Sequence, residues 1–183
     1  MHGAADPELP MFLVTGMPGA GKSTVSRKLA AALPRAALVA ADDVAGMIMS
    51  GGVWPLGEPV AEADRQVDLC YRNIGSLVRN FAGAGFQSVV DCVVPDAAHL
   101  DRLLDEFPEG VTELVVLAPG AACCRDRDRG RVASERFAFD GYDELDASMR
   151  SGFGGRGHWI DSADLDVDQT LRVILDSTRQ AVR

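Results

Sequence analysis

Behind the apolar run MFLVT at residues 11–15, the chain reads GMPGAGKS over residues 16–23 and continues into the amphipathic stretch TVSRKLAAAL. Phosphate groups need many donors at close range, and backbone N–H groups come that close only where side chains are missing. Gly16, Gly19 and Gly21 clear the approach. The helix that follows opens with unpartnered N–H groups and a dipole that favours an anion, which places a phosphate chain across its terminus. Lys22 adds a full positive charge near the β and γ phosphates, and the hydroxyl of Ser23 is a natural magnesium ligand. Gly16, Gly21, Lys22 and Ser23 have the spacing of a P-loop, with Pro18, Ala20 and Thr24 completing the expected nucleotide-binding stretch. A plain glycine-rich turn between strand and helix is the competing reading.

Four apolar runs without alternation, at 11–15, 36–40, 86–91 and 112–118, read as strands buried on both faces, and GHWID at 157–161 as a weaker fifth. Helical patterns lie between them. Val67, Tyr71, Ile74, Leu77, Val78 and Phe81 recur at three- and four-residue steps before GAG stops the helix, and Pro95 opens another through Leu100, Leu103, Leu104 and Phe107. The last begins at Asp166, with Gln169 placed as in a capping box, and runs to Val182. Strands alternating with helices predict an α/β fold, a five-stranded parallel sheet covered on both faces, organised as one domain over 1–183 with a flexible stretch at 1–10. In such sheets ligands bind beyond the carboxyl ends of the strands. The glycine loop, Asp42 with Asp43, and Asp91 all fall at that edge.

A net charge of −9 argues against nucleic-acid or anionic-membrane partners. No run reaches the ~18 apolar residues of a membrane span, and MHGAADPELP has neither the basic start nor the apolar core of a signal peptide, so a cytoplasmic location is expected. Cys70, Cys92, Cys123 and Cys124 lack metal-site spacing and are read as reduced. Positive charge concentrates once, in RDRDRGR at 125–131.

A glycine loop says only that a nucleotide is bound; the acids around it set the chemistry. Asp42 stands twenty positions after Lys22, at the mouth of the second strand. A carboxylate there can accept a proton from a hydroxyl while the γ-phosphoryl passes to that oxygen. With GMPGAGKS, Asp42, Asp91 and the arginine segment in this order, the sequence resembles the small P-loop kinases, particularly the chloramphenicol phosphotransferase-like antibiotic kinases, over most of its length. The polynucleotide kinase P-loop domain is similar over Gly16 to Asp43. The resemblance implies Asp42 as catalytic base and a mobile arginine-bearing lid, here 120–156. If the arginine run is helical, Arg125 and Arg129 share one face and Arg127 and Arg131 another; Arg129 is the first choice for the transferred phosphoryl group and Arg125 the second. A solvated, self-paired helix surface is the bland alternative.

In ADDV either acid can cap a helix that continues through Val44, Ile48 and Met49; Asp42 is read as the base and Asp43 as the cap, beside the acceptor. Asp91 either serves magnesium with Ser23, positions the acceptor, or merely ends its strand. Trp54, in SGGVWPLGEP at 50–59, either walls an acceptor pocket or plugs its own loop. The expected function is transfer of the γ-phosphoryl of ATP or GTP, with Mg2+, to a hydroxyl of a small molecule such as an antibiotic or nucleoside-like compound. Other metabolite, nucleotide or polynucleotide-end kinases are the alternatives. A nucleotide-dependent switch fits less well: its NKxD motif needs a lysine other than Lys22 and Lys28, and DVAG at 43–46 follows strand two rather than three.

Overall fold

The computed structural model describes residues 10–109, 112–132 and 139–181, so the expected flexible start, part of the lid and Val182 lie outside the described residues. Within the described residues, twelve elements occur in order: β1 (Met11–Gly16), α1 (Lys22–Ala32), β2 (Ala36–Ala40), α2 (Ala41–Ala45), α3 (Val60–Gly83), β3 (Gln87–Asp91), α4 (Ala97–Asp105), β4 (Thr112–Leu117), α5 (Ala121–Arg129), α6 (Tyr142–Gly152), β5 (His158–Ile160) and α7 (Val167–Ala181). The five strands form one parallel sheet in the order β2-β3-β1-β4-β5.

Continuous apolar character puts β1, β3 and β4 in the centre, where both faces are covered. Leu13, Val14, Val89, Val90, Val115 and Val116 are almost wholly inaccessible to solvent. Right-handed crossovers run one way from β1 to β2 and the other way from β2 through β3 to β4, which sends α1 and α3 to opposite faces. Accordingly α1 packs with α7, and α3 with α4.

Helix starts obey local chemistry. Asp166 caps α7 in a reciprocal box, its carboxylate accepting from Gln169 N at 2.7 Å while Gln169 Oε1 accepts from Asp166 N at 2.8 Å. α4 begins at Ala97, two residues after Pro95, because Asp96 is the cap and accepts from His99 N at 2.9 Å. α3 starts seven residues before the expected Val67, its first turn following Pro59. No helix among the described residues is long and apolar enough to cross a membrane.

Registration matters most for function. Asp91 is level with Val14 of β1 and Ala40 of β2, and Gly16 with Leu117 of β4. The glycine loop, the end of β3 and the start of α2 therefore share the carboxyl edge.

Candidate active site

The loop after β1 leans outward on its neighbours. A Cβ on Gly19 (φ 80°) would stand 2.4 Å from Cys124 O of α5, so the close approach itself demands glycine. Gly21 (φ 96°) is different: a Cβ there would meet nothing within 4 Å, leaving open space at the mouth of α1. Ala20 N is bonded to Met17 O at 3.1 Å, whereas the amides of Gly19, Gly21, Lys22, Ser23 and Thr24 have no backbone acceptor among the described residues. No side chain caps α1. Such a row of donors around open space fits a triphosphate tail. Pro18 and Ala20, expected within the binding stretch, supply shape instead: Pro18 has no N–H, and the Ala20 amide is already used.

Lys22 Nζ donates to Met17 O at 3.2 Å, which lays the ammonium along the loop. Burial lowers its pKa, opposed by the charges of Asp91 and then Asp42. Asp91, 6% exposed, is pushed the other way: burial raises its pKa, against the Lys22 charge and a hydrogen bond from the Ser23 hydroxyl. A buried carboxylate set beside an ammonium and a hydroxyl is a natural partner for a cation. Among the described residues no three His, Cys, Asp or Glu side chains gather to hold a metal by themselves. A magnesium ion would instead be held by Ser23, Asp91 and phosphate oxygens, an arrangement this ion accepts because it retains part of its water shell.

Asp42 and Asp43 both lie exposed in the first turn of α2. The structure corrects two expectations here. Asp43 is not a cap: β2 runs straight into α2, Ala40 is the cap residue, and no side chain bonds the free amides. The helix also stops at Gly46 rather than continuing through Ile48 and Met49. Asp42 remains close enough for its charge to act on Lys22 and Asp91.

The arginine segment is helical only to Arg129, so Arg131 lies beyond α5 and reaches Asp128 at 3.6 Å. Arg125 pairs with Asp143 of α6 at 2.7 Å and lies over the Tyr142 ring. Arg129 is exposed and pairs with Asp126 at 3.5 Å. Arg127, which helical spacing alone does not single out, reaches the loop: its guanidinium donates to Ala20 O at 3.4 Å and to Ser162 O, after β5, at 2.9 Å. The signal in the sequence is Cys124, the apolar residue three positions earlier, which is fully buried against Gly19 and marks the inward side of α5.

Trp54 is 54% exposed in a loop held from below by Gln66 of α3. Gln66 Oε1 accepts from Val53 N at 2.8 Å and its Nε2 donates to Gly51 O at 2.9 Å. Arg156, in the glycine-rich return to β5, is bound to Asp101 at 2.6 Å.

Residues 11–154 match the AAA_33 family, described as an AAA domain. The chain belongs to this family of AAA domains. The sequence has no match among curated proteins. In fold, this AAA domain is similar to a sugar kinase from Janibacter sp. HTCC2649, with a TM-score of 0.65 and 18% identity over 96% of this chain and 95% of that one. It is also similar to a gluconokinase from Sinorhizobium meliloti 1021, with a TM-score of 0.64 and 18% identity over 96% and 95% of the two chains. A third likeness is the tunicamycin resistance protein of Deinococcus radiodurans, with a TM-score of 0.64 and 16% identity over 94% and 95%. The resemblance to P-loop kinases thus holds at the level of the fold.

The raised pKa of Asp91 carries a prediction for the AAA domain. The folded state binds this proton more tightly than the unfolded chain does, so the nucleotide-free protein loses stability as pH rises through the folded pKa. Asp91→Asn should therefore lose less melting temperature than the wild type as pH rises without nucleotide, while turnover drops about tenfold or more. Melting curves across pH and steady-state rates check both. Equal slopes in the two proteins would show that the carboxylate is fully compensated.

Proposed function

We propose that the chain is a kinase transferring the γ-phosphoryl group of ATP or GTP to a hydroxyl of a small molecule. The observation that carries this is the grouping, beside a row of free amides, of Lys22, Ser23, a buried Asp91 and an exposed Asp42 on one sheet edge. When bound, the nucleotide supplies the phosphoryl group and Mg2+ offsets its charge. The amides and Lys22 hold the tail, Ser23 and Asp91 hold the metal, and the Asp42 carboxylate takes the acceptor's hydroxyl proton as the new oxygen–phosphorus bond replaces the β,γ bond. Arg125 and Arg129 act from the lid over the transferred group, and Asp43 and Trp54 line the acceptor's side.

Fold neighbours named as sugar kinase, gluconokinase and tunicamycin resistance protein keep sugar-like and antibiotic-like alcohols among the candidates. The charge of −9 supports a free small molecule rather than nucleic acid or a membrane surface, in a cytoplasmic setting. The test is product analysis: ATP or GTP and Mg2+ incubated with a broad panel of hydroxyl compounds, followed by mass spectrometry. A phosphorylated acceptor is expected. Nucleotide loss with no phosphorylated acceptor across the panel would favour a switch and overturn the reading.

A further inference from the structure

Arg125, Arg129 and Arg131 each have an aspartate partner, in Asp143, Asp126 and Asp128 respectively. Arg127 has no carboxylate partner among the described residues. Its guanidinium instead donates to main-chain carbonyls of two separate loops: Ala20 O of the glycine loop at 3.4 Å and, after β5, Ser162 O at 2.9 Å and Ala163 O at 3.3 Å. The second loop is a fixed anchor. Ser162 is buried, and Asp161 Oδ1 accepts from Ala163 N at 3.1 Å.

The peptides of the glycine loop are not equally fixed. Ala20 N donates to Met17 O at 3.1 Å, which holds the peptide between Gly19 and Ala20. Gly21 O accepts from Val25 N at 3.0 Å, which holds the peptide between Gly21 and Lys22. The peptide between these two, joining Ala20 to Gly21, has neither bond. Sterics do not hold it either, since Gly21 (φ 96°) has no Cβ and nothing lies within 4 Å of where one would stand. A peptide so placed can turn over by coupled rotation about ψ of Ala20 and φ of Gly21 while its neighbours stay in position. Among the described residues, its one hydrogen bond is that from Arg127 to Ala20 O.

We propose that Arg127 is a positioning residue of the phosphate cradle: anchored on the Ser162 and Ala163 carbonyls, its guanidinium holds Ala20 O and so keeps the Gly21 N–H presented as a donor. In a planar trans peptide the C=O and N–H point in opposite directions, so drawing Ala20 O toward α5 turns the Gly21 N–H away from α5. The charged donor also polarises the peptide and strengthens that N–H. This role rests on reading the glycine loop as a cradle for a phosphate tail, and depends on neither the acceptor nor transfer. Arg127 acts through the peptide and touches no phosphate, unlike the part proposed for Arg125 and Arg129.

Inorganic tripolyphosphate with Mg2+ is the probe, since it carries the charge of the tail without base or sugar. Titration calorimetry and amide NMR on isotope-labelled protein read the effect, with ATP as the second ligand. Arg127→Met, which keeps an unbranched side chain, should weaken both ligands by the same factor of about tenfold, the loss expected for one donor to a charged group. At saturating tripolyphosphate its Gly21 amide should lack the downfield shift seen in the wild type, while the Ser23 and Thr24 amides keep theirs. Arg127→Lys retains a charged donor and should recover part of both the affinity and the Gly21 shift; it carries the same readouts if the methionine variant loses its dispersed amide spectrum. Unchanged tripolyphosphate affinity in Arg127→Met overturns the inference and leaves the cradle standing. A full Gly21 shift in a weakened variant does the same, because the guanidinium then meets the phosphate itself. Weakening of ATP alone also overturns it, by moving Arg127 to the nucleoside. A wild type that binds no tripolyphosphate removes the cradle and this role together, whereas the expected Gly21 result without any phosphorylated product supports the role and removes the kinase.

Discussion

Asp42→Asn should lower turnover by about 10² to 10⁴ while nucleotide affinity stays within about twofold. The change keeps the size of the side chain and removes its ability to take a proton. Its structural cost is small, because Asp42 is exposed and caps nothing. The carboxylate does lie in the first turn of α2, where a negative charge interacts favourably with the helix dipole, an effect of about 0.3–1 kcal/mol. A rate loss of that size corresponds to about 2.7–5.4 kcal/mol in the barrier, well above what a dipole contact explains. Asp43→Asn loses the same kind of dipole contact and should show a markedly smaller drop. Steady-state rates with nucleotide titrations on both variants decide it: unchanged turnover in Asp42→Asn, or equal losses in the two, would take the base role from Asp42.

The parts of the fold most legible in the sequence are those governed by local, repeated chemistry. Continuous apolar runs place β1 to β4 within one residue of their observed limits, since a strand buried on both faces admits no polar alternation. The box at Asp166 and Gln169 is equally readable, both partners lying within four residues. What is misread depends on the third dimension. Asp43 looks like a cap because aspartate commonly is one, but the junction between β2 and α2 contains no turn, and the acids enter the helix. Among the arginines, helical spacing identifies shared faces but does not say which face meets the loop. That is decided by the packing of Cys124 beneath Gly19, which brings Arg127 to Ala20 O and Ser162 O. The pairing of Ser23 with Asp91 is legible as a candidate metal site, yet the burial that makes Asp91 sensitive to its neighbours is a property of the packed sheet edge.

Lys22→Ala should reduce turnover at least as severely as Asp42→Asn, by about 10³ or more, because charge that accumulates during transfer would lose its nearest ammonium. This variant also tests how the site is balanced. Lys22 is held against Met17 O, burial lowers its pKa, and the charge of Asp91 is the largest of the effects that oppose that shift. The relation is mutual: the Lys22 charge is the first of the forces that lower the pKa of Asp91 against burial. Removing the ammonium therefore leaves Asp91 more exposed to the cost of its own burial. Its pKa should rise further, and the nucleotide-free protein should lose stability with rising pH more steeply than the wild type. Adding Asp91→Asn to Lys22→Ala should remove that extra slope, so the two changes will not be additive in melting temperature although both depress turnover. Rates and melting curves for the two single variants and the double variant give the answer. Near-normal turnover in Lys22→Ala would end the phosphate-cradle reading, and strictly additive melting shifts would show that the two groups, close as they are, do not share one electrostatic balance.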